Sequence, residues 1–162
     1  MIRRLGPEDW RAWRDLWTEA LTDFPECFLT TLAEHEARDQ AILAHGLATR
    51  LVLGGFEDGR LMGTASLRAE HRAACAHRAW LQAVFVRPAR QGSGLGDRLM
   101  AAAEAQARGA GVLQMELYVA AENARALRFY ERHGFRVAGR LPRAVYRGGV
   151  FEDDLHMVRP LD

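Results

Sequence analysis

Three glycines, Gly92, Gly94 and Gly96, alternate with other residues between an apolar run and a segment of helical periodicity. Glycine removes the side chains that keep a ligand away from the backbone. Where such a turn leads into a helix, the free N–H groups and the helix dipole favour a bound anion. The segment therefore predicts a phosphate site, and a purely structural tight turn is the alternative.

Two common phosphate-binding patterns do not fit this segment. A P-loop needs four residues between its glycines and then a lysine, and the chain contains no lysine. A Rossmann fingerprint counted from Gly92 needs its third glycine at position 97, which is Asp97. The segment instead has the spacing Gln-x-x-Gly-x-Gly from Gln91 to Gly96.

A second set of candidate residues lies in the segment 115–135, "MELYVAAENARALRFYERHGF". Asn123 and Tyr130 are separated by about two helical turns, so both can project from one side of a helix. A phenol with a pKa near 10 is comparable with an alkyl thiol near 8.5, so Tyr130 can protonate a departing thiolate. The structural alternatives are a helix N-cap for Asn123 and a packed aromatic ring for Tyr130.

Together the two motifs resemble those of the GNAT superfamily, the acyl-CoA-dependent N-acetyltransferases. The resemblance extends to the preceding segment "WLQAVFVRP" and to the order of helices and strands, so it covers nearly the whole chain. It implies an α/β (α+β) fold with a central mixed, mostly antiparallel sheet of about six to seven strands. A V-shaped splay between the fourth and fifth strands and about four flanking helices are also expected, in a single domain over residues 1–162.

The resemblance further implies acetyl-CoA as cosubstrate, with its pantetheine arm in the splay and its pyrophosphate on the glycine loop. Gln91 replaces the commoner arginine of the motif, and Arg90 is a candidate substitute for that charge. The backbone amide of Phe85 is the predicted oxyanion donor. The predicted cofactor-binding residues are Val84, Phe85, Val86, Gln91, Gly92, Ser93, Gly94, Leu95, Gly96, Asn123 and Tyr130.

The expected reaction is direct attack of a primary amine on the thioester in a ternary complex. An amine with a pKa near 10.4 must first lose a proton, so a general base or a water relay is required. Glu116 is the predicted base, which makes Tyr130, Phe85 and Glu116 the predicted catalytic residues. Further candidate bases are Glu70, His71, His77, Asp153, Asp154 and His156. No metal-ligand spacing is present, so no metal is expected.

Alternating apolar residues and helical spacings define the elements that carry these residues. Helices are predicted near 7–21, 31–45, 94–108 and 123–133. A hairpin turns at Asp58-Gly59, strands cover 80–87 and 112–119, and two closing strands flank the turn at 147–149.

Charge and composition constrain the partners. The net charge of +1 argues against nucleic acid, no apolar run is long enough for a membrane span, and Cys27 and Cys75 predict reduced thiols in a cytoplasmic protein. Residues 8–39 contain nine acidic residues and three arginines. This acidity predicts a cationic acceptor, either a small-molecule amine or a protein N-terminal or lysine amine, whereas a solvated helix face is the alternative. The acidic residues in question are Asp15, Glu19, Asp23, Glu26, Glu34 and Glu36.

Rival functions are a non-catalytic acyl-CoA-binding module on the same fold and, more distantly, a nucleotide-binding regulatory domain. The presence of both Asn123 and Tyr130 favours the enzyme. The sequence leaves open a homodimer, the acceptor, the identity of the base and the use of other acyl groups.

Overall fold

The computed structural model describes residues 1–162 and contains seven strands and five α-helices. The strands are β1 (Ile2–Arg4), β2 (Leu51–Glu57), β3 (Arg60–Ala69), β4 (Arg78–Val86), β5 (Gln114–Ala120), β6 (Arg136–Arg147) and β7 (Val150–Pro160). The helices are α1 (Trp10–Asp23), α2 (Leu32–Glu36), α3 (Gln40–Thr49), α4 (Leu95–Gly109) and α5 (Ala124–Arg132). None of the helices is both long enough and apolar enough to cross a membrane.

All seven strands belong to one sheet in the order β1-β2-β3-β4-β5-β7-β6. The β4–β5 pair is parallel, whereas β1–β2, β2–β3, β5–β7 and β6–β7 are antiparallel. This confirms the predicted α+β class with a mixed, mostly antiparallel sheet. The β4–β5 ladder, the pair at which the resemblance places the splay, consists of Arg78–Trp80 against Gln114–Glu116.

Residues 1–68 and 81–106 form one compact unit with an aromatic core. Helical spacing puts Trp13, Leu16 and Trp17 on the buried face of α1. The Trp17 ring lies 6.0 Å from that of Phe85 and 4.9 Å from that of Phe28, measured between centroids. The aromatic residues of α1 therefore fix the end of β4 by packing.

Residues 69–80 and 107–162 form a second compact unit. Leu117 on β5 and Met157 on β7 are cross-strand partners, and both are almost fully buried. Gly134 adopts a φ of 84° just after α5, a conformation that suits the glycine expected at a helix C-terminus. The chain then turns to bury Phe135.

The predicted helix over 31–45 is two helices in the structure. Thr31 and Glu34 form a capping box at the start of α2, and the Asp39 carboxylate accepts the N–H of Ile42 to start α3. These two caps interrupt an apolar periodicity that reads as continuous in the sequence. The strand β1 was not predicted because its three residues are too few to show an alternating pattern.

Candidate active site

The glycine loop enters α4 with its amide groups available. Gly92 and Gly94 have φ values of 78° and 81°, in the left-handed region that favours glycine. The N–H groups of Gly92, Gly94, Leu95 and Gly96 donate to no backbone carbonyl. A row of unused donors at the start of a helix is suited to an anion, as the sequence predicts.

Side chains of the loop hold its shape. The Gln91 side chain donates through Nε2 to the carbonyl of Val86 at 2.9 Å, and Ser93 donates through Oγ to the carbonyl of Arg90 at 2.6 Å. The Arg90 guanidinium is paired with Glu57. Gln91 thus ties the loop to the end of β4, and Arg90 already has a carboxylate partner within the protein.

The end of β4 combines a buried ring with an irregular backbone. The side chain of Phe85 is 6% exposed, whereas Val84 and Val86 are partly buried. Ala83, two residues earlier, has a φ of 50°, and its carbonyl accepts the hydroxyl of Thr64 at 2.9 Å. Non-glycine residues in such conformations cluster at functional sites. Sequence analysis missed Ala83 because an alanine gives no sign of a left-handed backbone.

Asn123 and Tyr130 occupy the start and the last turn of α5. The Asn123 Oδ1 accepts the N–H of Ala126 at 3.1 Å, so this residue is the N-cap of the helix. The Tyr130 ring packs edge-to-face on Phe129 and on Phe135, at centroid distances of 5.4 and 5.8 Å. Burial raises the pKa of the Tyr130 phenol well above its ordinary value, so the hydroxyl keeps its proton at neutral pH.

Glu116 is buried rather than solvated. Its side chain lies on β5 with an exposed fraction of 1% for the residue. Arg78 contacts both carboxylate oxygens, through Nε and through Nη2 at 2.9 Å, and His156 Nε2 lies 2.8 Å from Oε1. Burial alone would raise the pKa of this carboxyl, but the hydrogen bonds from Arg78 and His156 outweigh it and the pKa is lowered.

The structure therefore joins two of the candidate bases, Glu116 and His156. Their separation in the chain hides this contact from sequence analysis, since it depends on the register of β7 against β5. The only sequence feature that Glu116 and His156 share is that each lies on a predicted strand next to apolar residues.

The other candidate bases lie in different settings. The Glu70 carboxylate accepts the indole N–H of Trp80 at 2.7 Å, and His71 and His77 are exposed. Asp153 is paired with Arg140 at 2.8 Å. Burial, followed by repulsion from neighbouring carboxylates, raises the pKa of Asp154.

Some of the acidic residues in the segment 8–39 have structural roles. Glu19 pairs with the buried guanidinium of Arg87, and Glu34 belongs to the cap of α2. Other members of the set contribute to an open groove in the first compact unit. Its acidic lining residues are Asp15, Glu19, Asp23 and Asp58, and its basic lining residues are Arg14, Arg60 and Arg87.

Comparison with known proteins identifies the family. The model of the acetyltransferase (GNAT) family matches residues 10–135, which is most of the chain. The chain belongs to the GNAT acetyltransferase family. The glycine loop and the segment containing Asn123 and Tyr130 both lie inside the matched region.

This GNAT protein is similar to several relatives. It is 33% identical over 132 residues to the mycothiol acetyltransferase of Brachybacterium faecium, and the match covers 82% of this chain but only 39% of that protein. The crystal structure of the ribosomal-protein-alanine N-acetyltransferase from Brucella melitensis is 25% identical, with a TM-score of 0.82 and 99% of each chain covered.

The structure of Salmonella typhimurium yncA with its cofactor acetyl-CoA is also 25% identical to this GNAT chain. Its TM-score is 0.82, with 100% of this chain and 94% of that chain covered. The GNAT fold is therefore a property of this family member.

Proposed function

We propose that this protein is an N-acetyltransferase that moves the acetyl group of acetyl-CoA to a primary amine by direct attack. The observation that carries the proposal is the glycine loop of a GNAT-family chain, with four amide N–H groups free of backbone acceptors where α4 begins. We further propose that residues 1–162 act as one catalytic domain.

The donor is bound largely by backbone groups in this proposal. The N–H groups of Gly92, Gly94, Leu95 and Gly96 donate to the pyrophosphate oxygens, where the left-handed φ of Gly92 and Gly94 turns the chain and the helix dipole adds to the attraction. The backbone of Val84–Val86 pairs with the amides of the pantetheine. Gln91 contributes by fixing the loop to Val86.

Two groups act on the reacting atoms. The amide of Phe85 donates to the oxyanion of the tetrahedral intermediate, in a segment held rigid by the packing of its own ring against Trp17 and Phe28. The Tyr130 hydroxyl donates to the sulfur as it leaves. The raised pKa of Tyr130 keeps that hydroxyl protonated over the whole neutral range.

The acceptor is proposed to be a cationic amine. Asp15, Asp23 and Asp58 line the open groove of the first unit together with Arg14 and Arg60, so a small excess of negative charge is left to attract a cation. A small-molecule amine and a protein N-terminal or lysine amine both carry that charge. The name of the Brucella melitensis relative specifies a protein amine for that enzyme.

Release of CoA thiol from acetyl-CoA, measured with a panel of cationic, neutral and acidic amines, tests the proposal. We expect turnover with cationic amines and a fall in kcat of about 100-fold for Tyr130→Phe, since loss of a general acid typically costs that much. Tyr146→Phe is the matched control, because that residue is 66% exposed on β6. Binding of acetyl-CoA without turnover on any amine would indicate the non-catalytic module instead, and acidic amines as the best acceptors would overturn the acceptor class.

A further inference from the structure

The second compact unit contains a cluster of interacting side chains from β4, β5 and β7. We call it the Glu116 cluster, and it consists of Arg78, Trp80, Glu116, Tyr118 and His156. Trp80 is opposite Glu116 across the β4–β5 pair, and Tyr118 is opposite His156 across the β5–β7 pair. Strand alternation therefore places these residues on one face of the sheet.

The contact between Glu116 and His156 determines which nitrogen of the imidazole carries a proton. An ionised carboxylate only accepts hydrogen bonds, so Nε2, 2.8 Å from Oε1 of Glu116, is the donor. In neutral His156 the lone pair is then on Nδ1, which has no hydrogen-bond partner within the protein. The side chain is 26% exposed, so this lone pair is on a ring that solvent can reach.

Aromatic packing fixes the plane of the imidazole. The His156 ring stacks on Trp80 at 5.5 Å and 24°, and on Tyr118 at 5.1 Å and 28°. Trp80 is itself held by its hydrogen bond to Glu70. A ring packed on two neighbours and bonded through one nitrogen presents the other nitrogen in a fixed direction, which is what a general base requires.

Glu116 is poorly arranged to accept a proton itself. Arg78 engages both of its oxygens, and His156 engages one of them a second time. A carboxylate in this setting holds its negative charge, and that charge stabilises a positive imidazolium next to it. The same division of roles, with a buried acid orienting a histidine, is well known from hydrolase triads.

We propose that His156 is the general base of the acetyl transfer and that Glu116 and Arg78 are its positioning residues. This inference rests on the proposed function. The ammonium form of the acceptor first loses one proton to solvent, and the neutral amine nitrogen then bonds to the acetyl carbon to form the tetrahedral intermediate. When the intermediate collapses, the C–S bond breaks and leaves its electron pair on sulfur. The amine proton passes to Nδ1 of His156, and sulfur takes the Tyr130 proton. Solvent then reprotonates Tyr130 and deprotonates His156, so the products are the amide and the CoA thiol.

Other charged groups lie near the imidazole of His156, and a measurement of kcat against pH must control for them. Arg78 on β4 and Glu116 on β5 form an ion pair, and the cross-strand neighbour on β6, Gly139, brings no charge. Asp154 is two residues from His156 along β7, and burial raises the pKa of its carboxyl. Asp154→Asn is therefore the control for a contribution of this carboxyl to the pH profile.

The test is the pH dependence of kcat for His156→Gln, with His45→Gln as a control at an exposed position on α3. We expect kcat near neutral pH to fall about 100-fold and the acid limb of the profile to disappear, while the Kd for acetyl-CoA is unchanged. Asp154→Asn and His45→Gln should both keep the acid limb. His156→Ala should regain part of its rate in added imidazole, which shows that the variant is folded.

Failure of this inference is distinguishable from failure of the proposed function. Wild-type protein that releases no thiol with any amine would remove the proposed function. Active wild-type protein with a His156→Gln variant of equal kcat and the same acid limb would overturn the role of His156 alone. Absence of imidazole rescue in a folded His156→Ala variant with lowered kcat would also count against a proton-transfer role and in favour of a packing role.

Discussion

The glycine loop and the Glu116 cluster handle charge by opposite means. The loop presents the backbone N–H groups of Gly92, Gly94, Leu95 and Gly96, and its side chains chiefly hold its shape. The cluster uses side chains from three strands, and its central carboxylate depends on partners at positions 78 and 156. The glycine loop presents fixed partial charges, whereas the Glu116 cluster positions the imidazole of His156, the group that we propose accepts a proton.

This difference predicts different consequences of substitution. Under the proposed function, damage to the loop should weaken donor binding and spare the rate at saturation, because the pyrophosphate of acetyl-CoA is far from its thioester. Damage to the cluster should lower kcat and change its pH dependence while leaving donor binding intact. Substitutions that separate these two readouts test the comparison directly.

Glu116→Gln has the largest effect that we expect on the cluster outside His156 itself. A neutral amide no longer stabilises the imidazolium, and it can donate to Nε2 and favour the wrong tautomer of His156. We expect kcat to fall about 30-fold, within the range for acid–base groups, with the Kd for acetyl-CoA unchanged. Steady-state kinetics and calorimetry measure the two quantities, and Glu131→Gln, at an exposed position on α5, is the control.

A second readout of Glu116→Gln is the pH dependence of stability. The folded protein lowers the pKa of Glu116 below its ordinary value. The stability from this ionised carboxylate is therefore present above the ordinary carboxyl pKa, near 4.3, and is lost as pH falls through the lower folded value. Urea unfolding from pH 6 to 3 should show the gap between wild type and variant shrinking on acidification. A gap that stays constant would contradict the lowered pKa.

Gly94→Ala is the corresponding test of the loop. A residue with a Cβ pays about 1–2 kcal/mol in the left-handed region, and Gly94 has a φ of 81°. The unliganded loop of the variant relaxes out of this conformation and binding must restore it. We therefore expect the Kd for acetyl-CoA to rise about 10-fold, since 1.4 kcal/mol is a factor of ten, with kcat at saturation nearly unchanged. Gly109→Ala is the control, because Gly109 ends the same helix without a left-handed φ or close neighbours. A fall in kcat with unchanged Kd would break the contrast between the two regions.

The same contrast explains what the sequence could predict. The family and the sheet class were predictable from the resemblance of two motifs to the GNAT superfamily, and the position of the glycine loop was predictable because glycine spacing is a local signal. The cap at Asp39 that splits the second helix is also local, but it competes with a continuous apolar pattern and was missed. The partners of Glu116 were not predictable, since they depend on strand register and on the pairing of positions 78 and 156 with one carboxylate. The roles assigned to Phe85, Glu116 and Tyr130 stay predictions.

The smallest expected effect is that of Ala83→Gly, which asks whether the irregular end of β4 stores backbone strain. Ala83 has a φ of 50°, which costs an alanine about 1 kcal/mol. Glycine relieves this strain, but it also loses more conformational entropy on folding, at a similar cost. The two contributions offset each other, so the free energy of unfolding should change by less than about 0.5 kcal/mol. Ala105→Gly in the exposed interior of α4 gains no such relief and should lose about 1 kcal/mol. Urea unfolding measures both variants. Equal losses of stability in the two would show that the backbone at Ala83 is unstrained, and the irregular end of β4 would then store no strain for the proposed site.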